Sequence, residues 1–564
     1  MHAYDIALLL AFFAIVLLPA PWLGRFYFNV MEGRRTWLTP LLGPIENACY
    51  RLAGICPSQQ QGWRHYALAL LIFNLVGFLL LFGALLGQGL LPLNPQRLPG
   101  LEWSLAFNTA VSFVTNTNWQ AYSGEASISY LNQMLGLTVQ NFVSAATGLA
   151  VLVALCRGIA RRSSAALGNF WVDMTRATLY GLLPMSLLLA LLLVWQGVPQ
   201  TFSDYAHALT LQGAEQLIPL GPAASQIAIK QLGTNGGGFF GVNSAHPFEN
   251  PTAWSNLFEV SAIILIPVAL VFMFGHYVKD LRQSRAIVAC MLALFLVGGA
   301  SALWAEHQPN PALHASEVEQ AAPLEGKESR FGTTGSVLWT VTTTAASNGS
   351  VNAMHDSLNP LTGMVAMVNM MVGEVIFGGV GAGLYGMLLF VLIAVFLCGL
   401  MIGRTPEYLG KKLQAREVQL LVATLLVMPV GVLVLAAVAA SLPGPATAVS
   451  NPGAHGFSQL LYAYTSGAAN NGSAFAGFGA NTVFHNLMIG LAMLIGRFGY
   501  ILPILALAGS LAAKPQAPQG PNSFPTHGPL FTFLLLLTLL LVGGLTFLPT
   551  LALGPIADHL SQAY

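Results

Sequence analysis

Charged side chains are scarce in this sequence. Asp, Glu, Lys and Arg make up 8% of its 564 residues, against about 25% in ordinary soluble domains. A soluble chain of this length normally divides into several domains with charged surfaces. Hydrophobic residues make up 55% instead, and they lie in blocks of about twenty, the length that a bilayer requires. We therefore expect lipid to cover the surface.

Several other features are missing, and each excludes a class of function. The net charge of +1 argues against a nucleic-acid partner. The five cysteines form no metal-ligand pattern and predict no disulfide framework. Neither a Gly-x-x-x-x-Gly-Lys-Ser/Thr loop nor an Asp-Lys-Thr-Gly string occurs, so we expect no nucleotide site and no aspartyl nucleophile. The chain is therefore not expected to hydrolyse ATP on its own, and no organic cofactor is predicted.

The apolar blocks predict an all-α polytopic membrane protein with about ten transmembrane helices. The first block lacks the basic start and the cleavage site of a signal peptide, so we interpret it as a retained helix. The predicted spans are 3–23, 65–88, 132–156, 173–196, 255–278, 285–304, 379–402, 417–441, 483–511 and 528–548.

The distribution of Lys and Arg predicts the orientation. Of the 22 basic residues, all but Arg97, Lys230, Lys327 and Arg330 are assigned to the loops that follow odd-numbered spans, Arg497 among them. By the positive-inside rule these loops face the cytoplasm. Both termini are then expected to be extracytoplasmic.

Four loops on the predicted outer side each contain an apolar stretch of about fourteen residues, which is too short to cross a bilayer and is typical of a re-entrant segment. Each stretch ends at a small polar tripeptide, which we call a tip. The stretches are 101–115, 220–233, 332–346 and 456–469. The tips are Asn116-Thr117-Asn118, Thr234-Asn235-Gly236, Ser347-Asn348-Gly349 and Asn470-Asn471-Gly472.

A span, a re-entrant stretch with its tip and a second span therefore occur four times. The third tip residues are 118, 113 and 123 residues apart, and a regular period of this kind indicates internal repeats. We predict four membrane–pore-loop–membrane units around one filter. The four repeats are 65–156, 173–278, 285–402 and 417–511. They are flanked by an N-terminal helix and cytoplasmic loop at 1–64 and by a C-terminal helix with an external tail at 528–564.

The chemistry of the tips favours potassium. A dehydrated cation in a membrane needs oxygen ligands, and rings of backbone carbonyls supply them without a buried charge. Gly, and to a lesser extent Asn, permits the backbone conformations that such rings require. Because no tip contains Asp or Glu, a divalent ion is disfavoured. The alternative interpretation is that each Asn/Gly cluster only marks a turn.

Longer strings around the tips carry a resemblance to a known family. They are similar to the potassium-binding A subunit of the bacterial Kdp-type potassium-transporting ATPase, and the resemblance covers essentially the whole chain. The strings are VTNTNWQAYSGE (114–125), QLGTNGGGFFGVNSAHPFENPT (231–252), SNGSVNAMHDSLNPLTG (347–363) and NNGSAFAGFG (470–479).

The resemblance implies roles for the tip residues in one potassium filter. The first residues, Asn116, Thr234, Ser347 and Asn470, would lend backbone carbonyls. The third residues, Asn118, Gly236, Gly349 and Gly472, would form its narrow turn. Gln120 and Gly238 would lie at the rim. The first repeat departs from the pattern because it has Asn where the others have Gly.

The third repeat carries a candidate gate. Glycines interrupt the apolar run 364–383, and Glu374 is an ionisable group at predicted membrane depth, which makes it a functional candidate. The candidate gate residues are Glu374, Gly378, Gly379 and Arg404, although an interfacial anchor is the alternative role for Arg404. In the resembled family, a loop of the third repeat lies under the filter and ions leave sideways towards the pump subunit.

The resemblance also implies the cargo and the partners. Potassium would be the transported ion. The chain would be a non-hydrolytic subunit beside a P-type ATPase catalytic subunit and a small single-span subunit. A very short membrane peptide is a further candidate partner. A second hypothesis is an autonomous channel or cation-coupled transporter of the same superfamily. A third is a membrane-embedded enzyme, which is disfavoured because no paired catalytic groups occur at one depth.

Overall fold

The computed structural model describes residues 3–310, 323–517 and 524–562. Within these ranges, ten helices are long and apolar enough to cross a membrane, which confirms the predicted fold class. Their bounds are Ala3–Met31, Trp63–Leu86, Asn132–Ala160, Phe170–Trp195, Ala253–Tyr277, Leu281–Glu306, Ala382–Met401, Ala415–Ser441, Val483–Ala513 and Pro529–Ser561.

The four short apolar stretches fold as helices, which we call pore helices 1 to 4. A pore helix lies between the two spans of each repeat, and its C-terminal end leads directly into the tip. The pore helices are Trp103–Val114, Ala223–Leu232, Gly332–Ala345 and Gly453–Ala469. Because a helix carries a partial negative charge at its C-terminus, all four direct negative potential towards the tips.

The two spans of each repeat differ in how deeply they are buried. The second spans, which are the third, fifth, seventh and ninth of the chain, have 56–89% of their most apolar window buried, whereas the first spans have 22–39%. The second spans therefore surround the centre with the pore helices, and the first spans face outwards. The buried third span, for example, carries Asn141 and Ser144, whose side chains hydrogen-bond to Asn118 and Asn116 of the first tip.

Side-chain caps fix where several helices begin. Thr252 starts the fifth span with a capping box to Ser255, and Glu102 accepts hydrogen bonds from the first-turn N–H groups of pore helix 1. Such caps satisfy N–H groups that the helix itself leaves without partners. Further caps are Asn169, Asp280 and Thr482.

The structure differs from the sequence-based boundaries in three places. The first span continues to Met31 and is broken at Pro19, where a proline cannot continue the hydrogen-bond ladder. The third repeat has an additional helix, Pro360–Met371, before its broken segment. Arg497 does not lie in a loop, as the distribution of basic residues suggested, but is buried inside the ninth span.

The remaining structure is short and lies between the spans. A helix, Thr39–Leu52, follows the first span. Ala206–Leu209 pairs antiparallel with Glu215–Ile218, and Glu407–Tyr408 with Lys411–Lys412. Wider π-helical turns occur within spans at Asn132–Thr138, Ala177–Leu182, Val430–Val434 and Ala552–Ile556.

Candidate ion filter

The four tips share one backbone conformation. The first and third residue of every tip has a left-handed backbone, and the middle residue does not. The φ angles of the first residues are +64° at Asn116, +50° at Thr234, +55° at Ser347 and +59° at Asn470. Those of the third residues are +52° at Asn118, +83° at Gly236, +83° at Gly349 and +102° at Gly472. Non-glycine residues rarely adopt this conformation, so its recurrence marks an imposed geometry.

The tips touch one another in sequence order. A Cβ atom on Gly236 would lie 1.5 Å from the Asn348 carbonyl oxygen, and one on Gly349 would lie 2.1 Å from that of Asn471. A Cβ on Gly472 would lie 2.0 Å from the Thr117 carbonyl oxygen. Glycine is therefore required at these positions, because any side chain would displace the neighbouring tip.

Asn118 takes the place of the fourth glycine and closes the ring. Its Nδ2 donates to the Gly236 carbonyl at 2.9 Å and to Asn141 Oδ1 at 2.9 Å. The contact between the first and second tips is thus a hydrogen bond, while the other three are close backbone contacts. The four predicted tips therefore come together in one ring.

The first tip residues also bridge neighbouring repeats. Asn116 Nδ2 donates to the Thr234 carbonyl at 2.8 Å, and Ser347 Oγ donates to the Asn470 carbonyl at 3.0 Å. Asn470 Nδ2 donates to Thr117 Oγ1 at 3.0 Å. Hydrogen-bonded neighbours of this kind restrict how far one tip can move without the next.

The middle Asn residues point behind the tips. Asn348 Nδ2 donates to the Lys230 carbonyl at 2.9 Å, and Asn471 Nδ2 donates to Glu374 Oε1 at 2.7 Å. Asn235 Nδ2 donates to the Asn141 carbonyl at 3.1 Å. These side chains fix the tips to the surrounding protein.

Two cavities flank the ring. The larger, of about 690 Å³, is lined by the third tip residues Asn118, Gly349 and Gly472 and by the predicted rim residue Gln120. Gln120 makes two hydrogen bonds to the backbone of Gly238, the other rim residue, each at 2.9 Å. We call this cavity the vestibule.

The smaller cavity, of about 40 Å³, lies at the other end of the tips. First tip residues Ser347 and Asn470 line it, together with Glu374, Gly379 and Arg497. Arg497 is the residue that the sequence interpretation missed, because it was counted as a flanking charge. Its Nη2 donates to the Ser144 carbonyl at 2.7 Å. We call this space the inner cavity.

The broken segment 372–381 of the third repeat lies against three tips. The Val380 N–H donates to Thr234 Oγ1 at 2.8 Å, and Gly378 N–H donates to the Ala345 carbonyl at 2.9 Å. Glu374 and Phe377 have left-handed backbones, with φ of +51° and +69°. Such strain persists only where the surroundings impose it, often at functional sites.

The four candidate gate residues are not all brought together. Glu374, Gly378 and Gly379 belong to the broken segment under the tips. Arg404 lies beyond the end of the seventh span, is exposed, and does not line the inner cavity. The inner cavity thus holds a different arginine from the one that the sequence suggested.

A histidine between two carboxylates joins the last two repeats to the C-terminal helix. His455, in the first turn of pore helix 4, lies 2.9 Å from Asp558 Oδ2 through Nδ1 and 3.1 Å from Asp356 Oδ1 through Nε2. Hydrogen bonds to Asp356 and Asp558 raise the pKa of His455 to about 9. Both ring nitrogens can donate only in the imidazolium form, so the cluster is a charged clamp at neutral pH.

This clamp predicts a pH-dependent stability. Since folding raises the pKa of His455 from its ordinary value of 6.5 to about 9, its contribution is complete below about pH 6.5 and is lost as the pH rises towards about 9. Thermal unfolding of the purified protein measures this effect. We expect the melting temperature of wild type to exceed that of His455→Gln near pH 6.5, and the difference to shrink as the pH approaches about 9. Parallel curves for the two proteins would contradict the assignment.

Comparisons with known proteins agree with this architecture. Residues 10–560 match the profile of the family described as Potassium-transporting ATPase A subunit. Curated relatives named potassium-transporting ATPase potassium-binding subunit include proteins from Pseudomonas putida, 88% identical, and Pseudomonas aeruginosa, 78% identical, each aligned over the full length of both chains. One from Rhodospirillum centenum is 60% identical over 100% of this chain and 98% of its own.

A solved structure shares the fold. The crystal structure of the potassium transporter TrkH from Vibrio parahaemolyticus aligns with a TM-score of 0.51 and 14% identity, covering 87% of this chain and 97% of that one. The profile match spans nearly all of the sequence, and the curated relatives align along its whole length. The chain belongs to the potassium-transporting ATPase A subunit family.

Proposed function

We propose that the chain binds extracytoplasmic potassium in a filter of backbone carbonyls and passes it to a separate P-type ATPase catalytic subunit. The observation that carries this proposal is the closed ring of four tips, each with left-handed residues at its first and third positions. Alternating backbone handedness points successive peptide groups to the same side of the chain, which allows carbonyls of all four repeats to face one ion. The full-length relatives named as potassium-binding subunits support the same assignment.

In this proposal the filter comprises all twelve tip residues, with Gln120 and Gly238 at its rim. The vestibule would receive ions from outside, so both termini would be extracytoplasmic in a bacterial inner membrane. The gate would be the broken segment, with Glu374, Gly378 and Gly379 beneath the tips and Arg497 across the inner cavity. Arg404 would act, by contrast, from the inner end of the seventh span.

The partners follow from the same proposal. The sequence contains neither a Gly-x-x-x-x-Gly-Lys-Ser/Thr loop nor an Asp-Lys-Thr-Gly string, so in this proposal the energy of uptake would come from the catalytic subunit. A small single-span subunit and a very short membrane peptide would complete the complex. Lipid would cover the exposed first spans.

Reconstitution distinguishes this function from an autonomous transporter. We expect liposomes containing the chain alone to show little potassium or rubidium flux, and liposomes containing the chain with its ATPase subunit to take up potassium only when ATP is present. Tracer uptake measures both. Rapid flux through the chain alone would overturn the pump-subunit proposal and favour a channel or cation-coupled transporter, to which the likeness to TrkH also points.

A further inference from the structure

Each pore helix places one residue four positions before its tip, and these residues are equivalent in the four repeats. The backbone carbonyl of each accepts a hydrogen bond from the N–H of the middle tip residue, at 2.9–3.1 Å. Three are small hydroxyl residues, but the second repeat has a lysine. The equivalent residues are Ser112, Lys230, Thr343 and Ser466.

The three hydroxyl groups support their own tips. Each bonds within its own tip or to the residue that follows it. The contacts are Ser112 Oγ to the Trp119 carbonyl at 2.9 Å, Thr343 Oγ1 to Asn348 Oδ1 at 3.3 Å, and the Gly472 N–H to Ser466 Oγ at 2.9 Å.

Lys230 cannot repeat this contact, and its side chain pairs elsewhere. Its ammonium group forms a buried ion pair with Glu249 and donates to Ser244 Oγ at 3.1 Å. The side chains of Lys230 and Glu249 are 1% and 0% exposed. A buried charge is strongly destabilising unless it is paired, so the two residues depend on each other.

Glu249 transmits this pairing to the rim of the filter. Its Oε1 accepts a hydrogen bond from the Phe240 N–H at 2.9 Å. A Cβ on Gly238 would lie 2.8 Å from the same oxygen, so the carboxylate packs directly against the rim segment. The backbone of Gly238 in turn holds Gln120 at the vestibule by two hydrogen bonds.

A second carboxylate extends the network to the third repeat. Glu259 Oε2 accepts from Ser244 Oγ at 3.0 Å and from Gln231 Nε2 at 2.8 Å. Gln231 Oε1 then accepts from Ser350 Oγ, next to the third tip, at 3.0 Å. The network thus contacts the Phe240 N–H after the second tip and the Ser350 side chain after the third tip.

We propose that Lys230 and Glu249 are positioning residues that set the selectivity of the filter. Their ion pair holds the segment 237–241, and through it Gln120, at a fixed distance from the ion path. The inference deepens the proposed function and rests on it. A filter discriminates between potassium and rubidium by small differences in oxygen positions and number, so loss of this support should alter that discrimination first.

The test removes both charges and keeps the side-chain volumes similar. The variant Lys230→Met with Glu249→Gln is prepared in complex with the ATPase subunit, and ATP hydrolysis is titrated with potassium and with rubidium. We expect the half-activating potassium concentration to rise roughly tenfold, the low end of the effect of losing a partner behind a ligand set, and the preference for potassium over rubidium to fall. The matched control is Lys514→Met with Glu417→Gln, a Lys–Glu ion pair away from the tips, which should leave both unchanged.

A second variant keeps the test decisive where the first does not assemble. Glu249→Asp retains both charges but withdraws the carboxylate from the Phe240 N–H by one methylene, and it should lower the potassium preference without loss of the complex. Unchanged potassium dependence and preference in either assembled variant would overturn the positioning role. Failure of both variants to assemble would assign the pair to folding alone and also overturn it. A wild-type complex without potassium preference would instead overturn the proposed function.

Discussion

Replacing Gly236 by serine is expected to weaken potassium binding by roughly 5- to 150-fold, the equivalent of about 1–3 kcal/mol of strain. Gly236 has φ of +83°, and a Cβ there would lie 1.5 Å from the Asn348 carbonyl oxygen. The serine side chain must either displace the third tip or change the backbone conformation of its own turn. Both changes displace carbonyl oxygens in the proposed ring, so the bound state is destabilised more than the fold.

The measurement is the potassium concentration that half-activates ATP hydrolysis by the complex, with rubidium and sodium as competitors. Gly83→Ala is the matched control, because Gly83 lies in the second span and a Cβ there meets nothing within 4 Å. We expect the control to behave like wild type. An assembled Gly236→Ser complex with wild-type affinity and ion preference would remove Gly236 from the filter.

The repeat architecture could be predicted from sequence because it depends on local signals. Apolar blocks of bilayer length, short stretches between them and Asn/Gly tips are all visible in the printed chain, and the fold contains each of them. The contacts between tips could not be predicted. Nothing in the sequence shows that Gly472 meets Thr117, since these residues are far apart in the chain and meet only when four repeats close into a ring.

Two charged residues were overlooked for different reasons. Arg497 was counted with the flanking basic residues, although an ionisable group inside an apolar run is a functional candidate in its own right. Lys230 was visible as the single lysine among Ser112, Thr343 and Ser466 once the tips were aligned. Its partner Glu249, by contrast, required the folded loop.

The broken third repeat was predicted in outline only. Its glycines indicated an interruption, but the separate helix Pro360–Met371 and the left-handed backbone at Phe377 were not foreseen. These features depend on the segment packing beneath the tips, where Val380 and Gly378 donate to residues of other elements. The glycines permit the interruption, and these tertiary contacts fix its conformation.

The second large effect concerns the inner cavity. We expect Arg497→Met to let potassium leak through the complex without ATP. Arg497 lines the inner cavity beside Ser347 and Asn470 of the tips, and its guanidinium group is charged at all relevant pH values. A like charge about 6 Å from a potassium ion costs about 3 kcal/mol at an effective dielectric constant of about 20, so removing it should raise passive flux roughly a hundredfold.

Rubidium tracer flux into liposomes without ATP measures this leak, and three variants separate the explanations. Arg497→Lys keeps the charge and should stay closed. Arg282→Met removes an exposed arginine paired with Asp280 and should also stay closed. Glu374→Gln changes the acceptor of the Asn471 side chain in the same cavity and leaves Arg497 in place, so it should slow ATP-driven uptake rather than cause a leak. An assembled Arg497→Met complex as tight as wild type would show that the charge of Arg497 is not the barrier to passive flux.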